Sequence, residues 1–131
     1  MDPKSRGAAD LLRALMGAAA RFSETGGSLT REYFPHVGCE PISDLAGPAV
    51  RLGMRVTLPG HELVAELAVR VTDAGFTIGG ELMLDDAEPF LTLPPIETAD
   101  VDKCAALLHR YAEELTVPAR LEVGRLLEHG C

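Results

Sequence analysis

His36, Cys39, Glu40 and Asp44 fall within nine residues of one another, in the stretch PHVGCEPISDLAGP at 35–48. Its three prolines and two glycines predict an irregular segment, and loops carry binding and catalytic groups more often than scaffold elements do. A thiolate beside an imidazole is the minimum for nucleophilic catalysis. The same His-x-x-Cys spacing offers two zinc ligands. Two ligands leave a tetrahedral site half built, and the others would have to come from His61, His109 or a carboxylate. Cys39 reads equally well as a small hydrophobe packed under the loop. His36, Cys39 and Glu40 therefore stand as a candidate polar loop. No residue is assigned as catalytic, metal-binding or cofactor-binding, and no cofactor is expected.

Other strings that suggest chemistry are weaker. HELVA, from His61, fails the HExxH metalloprotease pattern because Ala65 occupies the fifth position and the surrounding alternation is that of a strand. GFTIGG, from Gly75, has no following Lys-Ser/Thr and opens no helix, so it is not a phosphate loop. A bulge at Gly79 and Gly80, or close approach of a helix across Gly80, explains the glycines better, with a ligand cavity beside Gly80 as the functional alternative. Cys39, Cys104 and Cys131 are widely spaced and form no CxxC pair, which suggests free thiols in a reducing compartment. The chain has no Asn, Gln or Trp. An oxyanion hole or a base-reading contact would thus have to use backbone, hydroxyl or charged groups.

The elements that must position these groups are clearer than the chemistry. From Gly7 onward, Ala8, Leu11, Leu12, Leu15, Ala18, Ala19 and Phe22 recur at helical spacing, and Gly26 and Gly27 supply a stop. A short second helix is expected over 28–34, ended by Pro35. Between 49 and 84 apolar and polar residues alternate in three runs, the signature of strands. With Pro59 and Gly60 as a turn, Leu58 faces His61, Val56 faces Leu63, Met54 faces Ala65, Leu52 faces Leu67 and Val50 faces Val69. The following hairpin is expected to set Val71 against Ile78 and Leu67 against Leu82. A one-residue slip would turn every apolar side chain to the wrong face, so burial selects the pairing. Residues 90–93 form a short fourth edge strand ended by Pro94 and Pro95. A third helix begins near Thr98 or Asp100, with Val101, Cys104, Leu108, Tyr111 and Leu115 as its buried stripe. Pro118 then opens a last helix to about Glu128, with a strand over 120–123 as the alternative.

Residues 1–131 are expected to form a single α+β domain: a two-layer structure in which an antiparallel β-meander of three to four strands is covered on one face by an N-terminal helix and C-terminal helices. The uncovered face carries Arg51, Arg55, Glu66, Arg70 and Met83 among other residues, and these five are the candidate interface, since arginine with methionine is an interface-like composition. With 20 acidic and 12 basic residues the formal charge is −8, which disfavours nucleic acid and anionic membrane surfaces as partners. No apolar run approaches the ~20 residues of a membrane span, and no signal-peptide core precedes the domain. The expectation is a cytoplasmic protein whose composition fits a high-GC bacterial genome. In element order alone the chain resembles small acidic secretion chaperones, which are α/β dimers, and cystatin-like folds, and no residue motif is carried over from either. The leading functional expectation is a non-enzymatic protein-binding or accessory protein, of chaperone, immunity or regulatory-subunit type, with a protein partner or a homodimer. The alternative is a small-molecule binding or tailoring enzyme with a pocket between the first helix and the sheet. A pocket lined by two or more of His36, Cys39 and Glu40 would favour the enzyme, and a filled core with an apolar surface patch would favour the binding protein.

Overall fold

In the computed structural model, which describes residues 3–87 and 89–129, the alternating runs become the centre of a five-stranded antiparallel sheet. Its strands are β1 (Gly38–Ala46), β2 (Ala49–Leu58), β3 (His61–Thr72), β4 (Gly75–Leu84) and β5 (Leu91–Thr98), in the spatial order β1-β2-β3-β4-β5. Two long helices, α1 (Pro3–Glu32) and α2 (Val101–His129), form the second layer. Cys131 and Glu88 lie outside the described residues. The architecture is the expected two-layer α+β arrangement, with five strands instead of three or four.

The β2–β3 register is the expected one, pair for pair from Leu58 opposite His61 to Val50 opposite Val69. The β3–β4 register differs by two residues: Val71 faces Phe76, Val69 faces Ile78 and Ala65 faces Leu82. A two-residue difference keeps the parity of side chains, so the apolar face is preserved even though the expected partners are not. Alternation selects a face, whereas the tight turn at Asp73–Ala74 decides which residues stand opposite.

Four expectations about where elements begin and end are overturned. The first helix does not stop at Gly26 and Gly27 but runs through them to Glu32, absorbing the expected second helix. Gly26 continues the buried stripe of Ala18, Phe22 and Leu29, at the point where the Cys39 sulfur comes closest to the helix. A glycine in a helix costs about 1 kcal/mol relative to alanine, and full burial of Leu29 one turn later contributes ~1.5–3 kcal/mol, which outweighs it. The segment 35–48, expected to be irregular, contains β1. This strand is almost wholly exposed, so it has no apolar alternation to read, and Pro41 is tolerated because β1 is an edge. Likewise, β5 does not end at Pro94 and Pro95 but passes through them to Thr98, with a register shift where the two prolines lie opposite Gly79. The Pro94 carbonyl left out of the ladder accepts a 2.6 Å hydrogen bond from the Tyr111 hydroxyl.

Asp100 caps α2: its side chain accepts from the Asp102 N–H at 2.9 Å and its carbonyl from the Cys104 N–H at 2.9 Å. The helix then continues through Pro118, so neither a separate last helix nor a strand at 120–123 exists. Proline inside a helix costs about 3 kcal/mol, but Cys104, Leu108, Tyr111 and Leu115 lead in unbroken phase to Ala119, Val123 and Leu126, all buried. Breaking the helix at Pro118 would remove that second half from the core. The two helices run parallel, because their partners advance together: Gly7 lies beside Val101, Arg21 reaches Glu113, Arg120 reaches Ser28 and Gly124 lies beside the Tyr33 hydroxyl. Their apolar stripes cover the sheet face formed by Leu52, Met54, Val56, Leu63, Leu67, Ile78 and Leu82. At Gly80 α2 packs close against the sheet, and a Cβ there would meet Leu115 at 3.0 Å and the Glu66 carbonyl at 3.2 Å. Among the described residues no helix is long and apolar enough to cross a membrane.

Candidate functional site

Because residues 38–46 are a strand, the polar cluster of that segment is divided between two faces of the sheet. Cys39 pairs with Val56 and turns toward the helices, whereas Glu40 and Asp44 pair with Arg55 and Arg51 on the opposite face. His36 stays in the exposed turn before β1, where its N–H donates to the Tyr33 carbonyl at 2.8 Å. The Cys39 sulfur rests against the Gly26 backbone. Burial, and secondarily the neighbouring Glu40 carboxylate, push its thiol pKa above the ordinary value, the opposite of what a nucleophile requires. A cleft of about 350 Å³ next to Cys39 is lined by Phe22, Thr30, Arg31 and Met54 but by neither His36 nor Glu40. No cluster of three or more metal-ligating side chains forms among the described residues.

His61 acquires a partner that its sequence position gave no reason to expect. Its Nδ1 lies 2.7 Å from an Asp85 carboxylate oxygen, and the other oxygen accepts the Glu62 N–H at 2.7 Å. The hydrogen bond to His61, followed by the Glu62 amide, lowers the Asp85 pKa. This arrangement ties the turn after β4 back to the start of β3. It is a clamp on a strand end built from residues 24 apart, invisible without the pairing of β3 with β4.

The outer face of the sheet carries the candidate interface. Arg51 forms a bidentate pair with Glu66 at 2.8 and 3.1 Å, and Arg55 lies 3.4 Å from Glu62. Hydrogen bonding to Glu66 raises the Arg51 pKa further. Arg70 is exposed and has no ion-pair partner among the described residues. Met83 is half-buried, directly opposite Val64, and Val64 is only 7% exposed although it points away from the helices. Most of the arginine charge on this face is thus already matched by carboxylates one strand away.

An apolar surface lies elsewhere. Where α2 diverges from β5, a groove of about 470 Å³ has Leu91 and Leu93 on one wall, Val117 and Pro118 on the other, and Arg110, Glu113 and Glu114 along its rim. Phe90 and Val117 are each 49% exposed and Leu121 is 70% exposed. This groove was not legible in the sequence, because it requires α2 to lie beside β5, a placement of one element on another that periodicity does not encode. The available signal was that Val117 and Leu121, four residues apart, fall off the buried stripe of α2.

Compared with known proteins, the chain matches no protein-family model, no curated protein and no solved structure.

Proposed function

We infer that this domain is a non-enzymatic protein-binding or accessory protein that holds apolar side chains of a partner polypeptide in the groove between α2 and β5. The observation that carries this reading is the apolar lining of Leu91, Leu93, Val117 and Pro118 with a charged rim, with Leu121 exposed one helical turn after Val117. Contiguous exposed apolar surface rimmed by polar residues is characteristic of interaction sites, and an apolar centre within a polar rim is how interfaces are built. The absence of His36 and Glu40 from the lining of the cleft beside Cys39, together with the raised thiol pKa, supports binding over nucleophilic catalysis. The outer sheet face, with Arg70 and Met83, is a second surface for the same role.

The protein isolated from its own cytoplasmic host and weighed by native mass spectrometry is expected to carry a partner chain, or a second copy of itself. Val117→Asp combined with Leu121→Asp should weaken that complex at least ~10-fold, since an interfacial apolar anchor is worth ~2 kcal/mol or more. The melting temperature should stay nearly unchanged, because both side chains are exposed. Arg55→Glu tests the sheet face separately. If the protein emerges without any bound chain, or if both variants retain full affinity, the reading fails.

A further inference from the structure

A slot of about 310 Å³ opens between α1 and α2 and shares Val117 with the α2–β5 groove. Arg21, from α1, stands at one end and Arg120, from α2, at the other. Glu113, the partner of Arg21, precedes Arg120 by seven residues of helix, about 10 Å at ~1.5 Å rise per residue. Neither guanidinium is saturated. Arg21 lies 3.7 Å from Glu113 and Arg120 lies 3.6 Å from Glu32, both beyond hydrogen-bond reach, and Arg120 donates one bond of 3.2 Å to the Ser28 hydroxyl. Each guanidinium has five N–H donors in a fork that matches a carboxylate.

The floor of the slot supplies a second, independent observation. Thr25 is 5% exposed and lines the slot, yet its hydroxyl has no hydrogen-bond partner among the described residues. Buried threonines in helices usually bond back to a carbonyl one turn earlier, as Thr30 does to Gly26 at 2.9 Å. Thr116, on the facing helix, is likewise committed, to the Glu113 carbonyl at 3.3 Å. Thr25 alone presents an unused donor and acceptor to the space between the two arginines.

We propose that this slot binds a small organic dianion with a carboxylate at each end, one held by Arg21 and the other by Arg120, over the Thr25 hydroxyl. The observations that carry this are the two incompletely paired guanidiniums on opposite helices and the Thr25 hydroxyl, which opens onto the same slot and has no protein partner among the described residues. Glu24 lines the same slot, and its carboxylate, with those of Glu113 and Glu32 beside the two arginines, opposes the ligand. Binding is therefore limited to molecules whose two charges reach both forks, and a compact anion that engages one arginine gains too little to overcome it.

The test is isothermal titration of the full chain with a homologous series of linear dicarboxylates from succinate to pimelate, with inorganic phosphate as the compact control. Affinity is expected to peak at one chain length and to fall as salt is added. Arg21→Ala and Arg120→Ala should each weaken it ~10- to 100-fold, and Thr25→Val should weaken it less, on the order of 10-fold. Glu24→Gln should tighten it, a change of sign that a purely structural slot would not produce. Circular-dichroism melts confirm that the arginine variants are folded. The proposal is overturned if no diacid binds at millimolar concentration, if phosphate binds as well as the best diacid, or if folded arginine variants retain wild-type affinity.

Discussion

The claim that Gly26 is retained for the approach of β1, and not as a helix stop, can be tested by a double-mutant cycle with Cys39. A methyl group added at Gly26 would overlap the Cys39 sulfur and lie 3.2 Å from the Cys39 Cβ. Overpacking of this kind costs ~1–3 kcal/mol, while replacing glycine by alanine within a helix returns about 1 kcal/mol. Gly26→Ala alone should thus destabilise by between zero and ~2 kcal/mol, a range too wide to be decisive. Cys39→Ala removes a half-buried sulfur and should cost about 1 kcal/mol. In the double variant the overlap with the sulfur is gone, the 3.2 Å approach of the two Cβ atoms remains, and the new methyl occupies part of the space left by the sulfur. The propensity gain appears in both Gly26→Ala backgrounds and cancels, so the coupling energy isolates the overlap at ~1–3 kcal/mol in favour of the double variant. Urea denaturation followed by circular dichroism resolves this, since ~2 kcal/mol moves the midpoint by roughly 1 M at a typical slope. Additive effects, within ~0.5 kcal/mol, would refute the packing argument for Gly26.

Two further perturbations test the clamp and the helix. Pro118→Ala should stabilise the protein by ~1–3 kcal/mol, because the new N–H can bond the Glu114 carbonyl and the ring clash is removed; a lower urea midpoint would show that the ring contributes more through packing than it costs the helix. The Asp85 carboxylate, whose pKa is depressed by its bond to His61 and then by the Glu62 amide, should titrate below the ordinary aspartate range by NMR. Its folded pKa is below the unfolded value, so its stabilisation is present above the unfolded pKa and is lost as the pH falls through the folded one. Asp85→Asn should accordingly destabilise the protein at neutral pH and approach wild type in strong acid, and a normal titration midpoint would remove the clamp from the account.

Much of the sheet was legible because its information is local. In residues 49–72 the period of two and the Pro59–Gly60 turn are enough to set Val56 against Leu63 and Leu52 against Leu67, since burial penalises every other parity. The stripe from Cys104 to Leu115 was legible for the same reason at helical spacing. What failed was punctuation. Gly26–Gly27, Pro94–Pro95 and Pro118 are each a local stop signal worth about 1–3 kcal/mol, and each was overridden by packing partners distant in the chain. Cys39 stands against Gly26, the Tyr111 hydroxyl takes the Pro94 carbonyl, and Ala119, Val123 and Leu126 enter the core beyond Pro118.

The candidate sites follow the same division. Residue types alone nominated His36, Cys39 and Glu40, but strand alternation in β1 sends Cys39 and Glu40 to opposite faces, a consequence of pairing that composition does not encode. The outer-face charges could be grouped from parity, and the hairpin sets Arg55 diagonal to both Glu62 and Glu66; that Arg55 takes Glu62 and Arg51 takes Glu66 required the side-chain geometry. The groove at Leu93 and Val117 and the slot at Thr25 lie between elements whose lengths the punctuation had misstated. By itself the sequence determined which residues share a face, because periodicity is a property of one segment. Only the tertiary structure decided where elements end and which surfaces remain open, because those are settled by the sum of burial over both halves of the chain.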